Sequence, residues 1–227
     1  MIFKDYQFLT TTALFKGLNE KEIEGILPCL KARVKKYRKG SIIFHAGDQI
    51  SEIGLVLSGS VNIVVTFYWG SSNIFGHVGS GDLFAENYAA IPGRRLLNDV
   101  IASEETEILF LSLDNLLTTC KKGCTFHNGL IHNLVRISAM KNLNLSSRMM
   151  HTASKSIRDR VLSYLSECAL KSGSMRFSIP FSRQELADYL GVDRSALSGE
   201  LSKMQRDGLI EFRKSDFTLL EDSYLYE

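Results

Sequence analysis

Ser182-Arg183-Gln184-Glu185-Leu186-Ala187-Asp188-Tyr189-Leu190-Gly191-Val192-Asp193-Arg194-Ser195-Ala196-Leu197-Ser198 is the stretch on which the reading of the chain turns. Ser182 and Glu185 have the spacing of a capping box, in which a serine oxygen accepts from the amide three residues on and the glutamate reaches back. Leu186, Ala187 and Leu190 give that helix a buried side, and Ala187 is small where a second helix must cross closely. Gly191-Val192 supplies a turn. Asp193 can cap a second helix that runs to about Asp207 and stops at Gly208. Leu197, Leu201 and Met204 form its inner stripe. Two helices joined by so short a glycine-containing turn make a helix-turn-helix. Leu209 to Phe212, Arg213-Lys214-Ser215-Asp216, then Phe217 to Leu220 read as a β-hairpin wing.

The outer face of the second helix carries Arg194, Ser195, Ser198, Gly199 and Ser202. Apart from the arginine these are short residues, so the face can enter a major groove without steric conflict. Arginine pairs bidentately with guanine, and serine reaches bases or phosphates. The same small polar face is compatible with a winged-helix module that contacts other proteins.

Working outward, Ser156 to Leu170 is amphipathic, with Ile157, Val161, Leu165 and Cys168 on one side. Lys171 to Ser174 ends it, and Phe177-Ser178-Ile179-Pro180 reads as a short strand. From Leu113 to Met150 there is no proline, and glycine occurs only at 123 and 129. Ile131, Val135, Ser138, Asn142, Leu145 and Met149 follow 4-3-4-3-4 spacing, an a/d seam suited to a twin helix. Leu130, Leu134 and Ile137 broaden the apolar face, so the helix has two sides to bury.

Before this the texture is different. Nine of the seventeen glycines (40, 47, 54, 59, 70, 76, 79, 81, 93) fall between residues 40 and 93. Between them lie short β-rich runs: Ser41 to Phe44, Leu55 to Leu57, Val61 to Tyr68 and Asn73 to Val78, followed by Val100 to Ala102 and Ile108 to Leu111. Val61, Ile63, Val65, Phe67 and Trp69 alternate with their neighbours at the period of a strand. Many short strands with glycine turns predict a β-sandwich or barrel-like unit over about residues 30–112. Leu14 to Leu30 reads as short helical segments.

Composition bounds the rest. The 227 residues, 44% hydrophobic and 23% charged, suit one large or two ordinary folded domains. No apolar run approaches the ~18–20 residues of a membrane span. The start lacks the charged-then-apolar pattern of a secretory leader, so a cytoplasmic location and no membrane partner are expected. Four cysteines (29, 120, 124, 168) are too sparse for a disulfide scaffold. Cys120 and Cys124 share a face if helical, but two ligands alone are too few for a metal site, and no metal is expected. His77 on a strand is more simply structural than a haem ligand. His127 and His132, five apart on a helix, point in different directions. No nucleophile–histidine arrangement, P-loop or dinucleotide fingerprint is present, and no enzyme activity is expected. The net charge of +2 gives no hint of a nucleic-acid partner. It conceals nine Lys/Arg against six Asp/Glu from 152 to 206, or +3, and a tail from 207 with two against six, or −4.

The helix-turn-helix stretch, with Leu201-Ser202-Lys203-Met204 and Asp207-Gly208-Leu209-Ile210, resembles the C-terminal end of the cyclic-AMP-receptor/fumarate-nitrate-regulator (Crp/Fnr) family of bacterial transcription factors. Gly40, Ala46-Gly47-Asp48, Leu57-Ser58-Gly59-Ser60-Val61 and Gly81-Asp82-Leu83-Phe84 are similar to that family's effector domain. The resemblance spans nearly the whole chain. It implies an α+β architecture: an N-terminal double-stranded β-helix, or β-roll, sensor over 1–112 with helical flanks, a dimerisation helix over 113–150, and a winged helix-turn-helix over 151–227. It implies a homodimer on duplex DNA, with RNA polymerase as a further partner if the protein activates. Arg183, Gln184, Asp193, Arg194, Ser195, Ser198, Gly199 and Lys203 become the DNA-contacting set, with Arg183 and Gln184 near phosphates and Arg194 at a base. Gly199 departs from the arginine common in the family. Mid-helix glycine costs roughly 1 kcal/mol against alanine, and the loss of a guanine reader predicts a different target.

In cyclic-nucleotide-binding members a Gly-Glu step and a downstream Arg-Ser/Thr-Ala hold the phosphate and ribose. The corresponding residues are Phe84, Ala85 and Glu86, then Arg94, Arg95, Leu96 and Leu97. Ala85 replaces the glycine, and Leu96 takes the arginine slot, with Arg94 and Arg95 able to reach in only if the loop shifts. The expectation is a small-molecule effector other than cyclic AMP, held between roll and long helix, and no other cofactor. A cyclic-nucleotide-responsive regulator is the alternative.

Overall fold

A computed structural model describes residues 5–118 and 126–220. Cys120 and Cys124 lie outside the described residues. The chain divides into two compact units, Met1–Ala139 and Met140–Glu227.

In the first unit two short helices, α1 (Tyr6–Thr11) and α2 (Glu20–Ile26), precede eight strands. These are β1 (Arg33–Tyr37), β2 (Ile42–Phe44), β3 (Glu52–Ser58), β4 (Val61–Thr66), β5 (Ser72–Val78), β6 (Leu83–Phe84), β7 (Asp99–Ala102) and β8 (Thr106–Ser112). The four-residue α3 (Glu86–Ala89) lies between β6 and β7. Two four-stranded sheets result, ordered β1-β8-β3-β6 and β2-β7-β4-β5, with every pair antiparallel.

The pleat assigns the two faces of the first sheet. Ile53, Leu55 and Leu57 of β3, with Leu109 and Leu111 of β8, join the core that α1, α2 and their flanks cover. Val56, Ile108 and Phe110 face the other way and pack with Val61, Phe84 and Val100. Both faces are buried, which explains why these strands read as unbroken apolar runs. The inner core is aromatic. Phe44 lies 6.1 Å from Phe84 and 5.7 Å from Phe110, ring centre to ring centre. Gly54 makes room for it, since a Cβ there would stand 2.2 Å from the Phe84 ring.

The alternation read over Val61 to Trp69 ends sooner than expected. β4 stops at Thr66, and Phe67 to Ser71 closes a turn, with the Phe67 amide donating to Ser71 and the Gly70 amide to Phe67. Phe67 stacks on Trp69 at 4.6 Å. A register shift opposite Ile63 and Val64 leaves Phe75 unpaired in β5. Ile74 and Phe75 are consequently both exposed.

The span read as a single dimerisation region holds two described helices. α4 (Leu113–Leu117) is capped by Ser112. α5 runs Phe126–Ala153 and crosses from the first unit into the second. In the first unit Leu130 and Leu134 of α5 are buried in the outer core, and the Asn133 amide donates to the Leu14 and Lys16 carbonyls at 2.9 and 2.8 Å.

The second unit contains α6 (Ile157–Ser172), β9 (Arg176–Ser178), α7 (Arg183–Leu190), α8 (Arg194–Arg206), β10 (Ile210–Arg213) and β11 (Asp216–Leu219). The wing is three-stranded, ordered β10-β11-β9. Its core joins Val161 and Leu165 to Leu186, Ala187, Leu190, Leu197, Leu201, Met204, Ile210 and Phe217. No helix among the described residues is long and apolar enough to cross a membrane.

Candidate nucleic-acid interface

The local chemistry of the motif sets this geometry. The Ser182 side chain accepts from the Glu185 amide, and the Glu185 carboxylate accepts from the Ser182 amide at 2.7 Å. The Ser182 amide first, and its hydroxyl second, hold the Glu185 carboxyl below its ordinary range. Ala187 is fully buried where the helices cross. Gly191 ends α7 at φ +65°, a left-handed conformation that glycine adopts without Cβ strain. Asp193 caps α8, accepting from the Ser195 hydroxyl and amide and the Ala196 amide. The Ser195 contact is the main cause that holds its carboxyl low.

Leu197, Leu201 and Met204 are fully buried, which turns the opposite face of α8 outward. Arg194, Ser195, Gly199, Ser202 and Lys203 are exposed, and Ser198 is half-buried. The Ser198 and Ser202 hydroxyls donate to the Arg194 and Ser198 carbonyls. Their lone pairs therefore remain outward. The Arg194 guanidinium has no hydrogen-bond or ion-pair partner among the described residues, while Lys203 sits 3.7 Å from Glu200. Gly199 faces open space: nothing lies within 4 Å of a Cβ built there. Arg213 and Lys214 stand exposed at the wing tip, with Lys214 at φ +56°.

Two of the expected contact residues are engaged with the protein itself. The Arg183 guanidinium lies over Phe212 at 5.0 Å and Phe217 at 5.8 Å, and donates to the Lys214 carbonyl at 3.4 Å. Burial lowers its pKa. Gln184 donates to Asp188 one turn on. Residues the motif reading missed hold the turn from behind. Arg148 donates to the Tyr189 and Asp188 carbonyls, both at 3.0 Å, and Arg160 donates to Leu190 at 3.0 Å and Gly191 at 3.3 Å. These carbonyls end α7, the negative pole of its dipole. Separations of thirty or more residues leave no local signal for such pairing.

The expected effector residues fall in two places. Phe84 is buried in the aromatic core, and Ala85 stands at φ +68° before α3. Glu86 is 3% exposed. Arg94 is exposed, and Arg95 donates to the Gly47 carbonyl at 2.8 Å. Leu96 is buried, its amide and carbonyl bonded to Asp48 and Gly47, and Leu97 is exposed. The arginine slot is therefore filled by an apolar core side chain. His77 pairs with Asn62 at 2.8 Å. Among the described residues no group of three His, Cys, Asp or Glu could hold a metal ion.

Of the expected seam on α5, Ile131 packs on the core of its own unit, whereas Val135, Leu145 and Met149 are exposed, as is Asn142, and Ser138 is half-buried. Met140, Leu143 and Met150 are exposed as well.

Comparison with known proteins finds two matching family models. A family model described as the cyclic nucleotide-binding domain matches residues 34–122, and one described as the Crp-like helix-turn-helix domain matches residues 159–227. The chain is 26% identical to the cyclic AMP receptor protein of Thermus thermophilus over 214 residues, covering 94% of this chain and 95% of that one. It is 24% identical to the transcriptional activator protein FnrL of Cereibacter sphaeroides, covering 83% and 76%. Among solved structures, CprK complexed with OCPA superposes with a TM-score of 0.65 at 16% identity, covering 89% and 94%.

Proposed function

This chain is a transcription regulator of the Crp/Fnr family, and from that premise we propose that two copies bind a pseudo-palindromic operator through α8, without a catalytic step of their own. The observation that carries the reading is the face of α8. An unpartnered Arg194 stands beside Ser195, Ser198 and an open Gly199 on a helix capped and buried along its other side. Arg194 reads a base edge, the serines reach bases or phosphates, and Gln184, Lys203 and the wing tip lie along the backbone. Arg183 holds the wing against the start of α7. The exposed side of α5 pairs with its copy through Val135, Leu145 and Met149, which sets the spacing of the two heads to one helical turn of DNA. RNA polymerase is the further partner if the regulator activates.

The effector is a small molecule other than cyclic AMP, sensed by the roll. Leu96 in the arginine slot and the Cβ of Ala85 argue against a cyclic phosphate there. Such a molecule shifts operator affinity only by its differential affinity for the two head orientations. Binding of the full chain to duplex DNA across a salt series tests the reading. Phosphate neutralisation gives a steep negative slope, and a flat response would return the module to protein contacts. Calorimetry with cyclic AMP should show no tight binding; tight binding would restore the cyclic nucleotide as effector.

A further inference from the structure

The end of α5 belongs to the reading unit, and a buried histidine joins them. One turn after Arg148, whose guanidinium lies 5.5 Å from the Tyr189 ring centre, His151 is 3% exposed. Its Nδ1 is 2.9 Å from the Tyr189 hydroxyl on α7, and its Nε2 is 2.7 Å from Glu167 on α6. Tyr164 meets the ring edge-on at 5.5 Å. The two hydrogen bonds require one tautomer. In the neutral ring Tyr189 donates its O–H to Nδ1 and Nε2–H donates to the Glu167 carboxylate, so each group has a partner. A protonated imidazole carries hydrogen on both nitrogens. Nδ1 can then no longer accept, and the Tyr189 hydroxyl must turn away and offer its lone pair, which costs its own proton a buried partner.

We propose that Arg148 and His151 weld the end of the long helix to the helix-turn-helix turn while His151 is neutral, and that protonation loosens the weld and weakens operator binding in mildly acid conditions. The proposal deepens the regulatory reading above and rests on it for its last step.

The groups that face His151 come from three helices. Glu167, Tyr164 and Tyr189 touch it and Lys171 acts on its charge, while Ser147 and Cys168 act on Glu167 and Tyr164, and Arg148 donates to the Asp188 carbonyl. Burial works to raise Glu167, but Lys171, His151 and Ser147 outweigh it and hold the carboxyl low. Lys171 forms its own ion pair with Glu167, so the carboxylate is not reserved for an imidazolium. For His151, burial lowers the pKa and outweighs the upward pull of Glu167. A group depressed in this way contributes stability above its ordinary value of 6.5 and loses it as pH falls through the folded-state value. Loosening is therefore expected below that pH.

The test uses the full chain and two readouts at pH 7.5 and 5.5. The first, free of DNA, is hydrogen exchange of the amides from Met149 to Ala153, corrected for intrinsic rate. In the wild type, protection should be lost between pH 7.5 and pH 5.5, the direction set by the depressed imidazole. In His151→Gln and in Tyr189→Phe it should change little. The second is affinity for a duplex selected by the protein at pH 7.5 from a randomised pool, which should fall in parallel in the wild type and less in either variant. Circular dichroism confirms that each variant is folded. Equal loss of protection in wild type and His151→Gln overturns the weld, as does none in the wild type. A weld that opens while no duplex is ever selected overturns the regulatory reading instead.

Discussion

Gly199→Arg separates the folding and the reading of α8 in one substitution. Glycine in a helix interior is about 1 kcal/mol worse than alanine, and arginine is close to alanine. The position is open, with nothing within 4 Å of the added Cβ, so no steric cost enters. Lys203, one turn on, adds a like-charge i,i+4 pair that costs about 0.2–0.5 kcal/mol. The net is a stabilisation of roughly 0.5 kcal/mol, or a rise in Tm of about 2–4 °C for a unit of this size. On DNA the new guanidinium projects from the same face as Arg194. A bidentate guanine contact discriminates by about 1–3 kcal/mol, roughly five- to 150-fold. Thermal melts followed by circular dichroism read the first quantity, and selection from a randomised duplex pool reads the second. A lowered Tm would show that position 199 packs against something, and an unchanged preferred sequence would show that it does not face the groove.

Ala85→Gly should stabilise the first unit by about 0.5–1 kcal/mol, because relief of a left-handed alanine (about 1–2 kcal/mol) exceeds the added glycine entropy (about 0.5–1 kcal/mol); a lower denaturant midpoint would contradict the strain. Leu145→Asp places a charge on the exposed seam of α5 and should reduce the mass seen by light scattering to that of one chain, whereas an unchanged mass would place the dimer contact elsewhere. Asp193→Ala removes the cap of α8 and should lower the Tm at pH 7. Because the Asp193 carboxyl lies below its ordinary value of 3.8, its contribution is present above that pH and disappears as pH falls through the folded-state value. Melts of wild type and variant should converge in strong acid.

The parts of the fold that the residues announce are those made by neighbours in the chain. Ser182, Glu185, Gly191 and Asp193 each act within three residues of themselves, so the helix-turn-helix could be read off with its caps. The two-sided character of α5 was equally visible in its spacing, but not which side Ile131 takes, because that depends on a core assembled from α1, α2 and β3. Strand pairings such as Arg33 with Phe110 or Ile42 with Ile101 span about sixty or more residues and leave no local mark. The same holds for the candidate site. Arg194 and the serines were legible from helical periodicity. The capture of Arg183 by Phe212 and Phe217 was not, since an arginine near a helix start carries the same signature whether it turns to a phosphate or to a ring. The burial of Leu96 bears on the effector in the same way. Its place in the arginine slot came from the family pattern, and its burial is a product of the folded roll, where its backbone is bonded to Gly47 and Asp48.

The outward side of α8 gives the regulator an unusual freedom to drift. The Arg194 and Ser202 side chains are exposed and nothing lies within 4 Å of a Cβ built at Gly199, and substitutions at such positions usually change stability by no more than about 0.5 kcal/mol. On the proposed reading of α8, a lineage can therefore exchange one set of target promoters for another by a few point mutations while its inherited scaffold stays intact. The inner stripe of Leu197, Leu201 and Met204 allows no such turnover, so descendants of this chain would share a fold long after they had ceased to share a regulon.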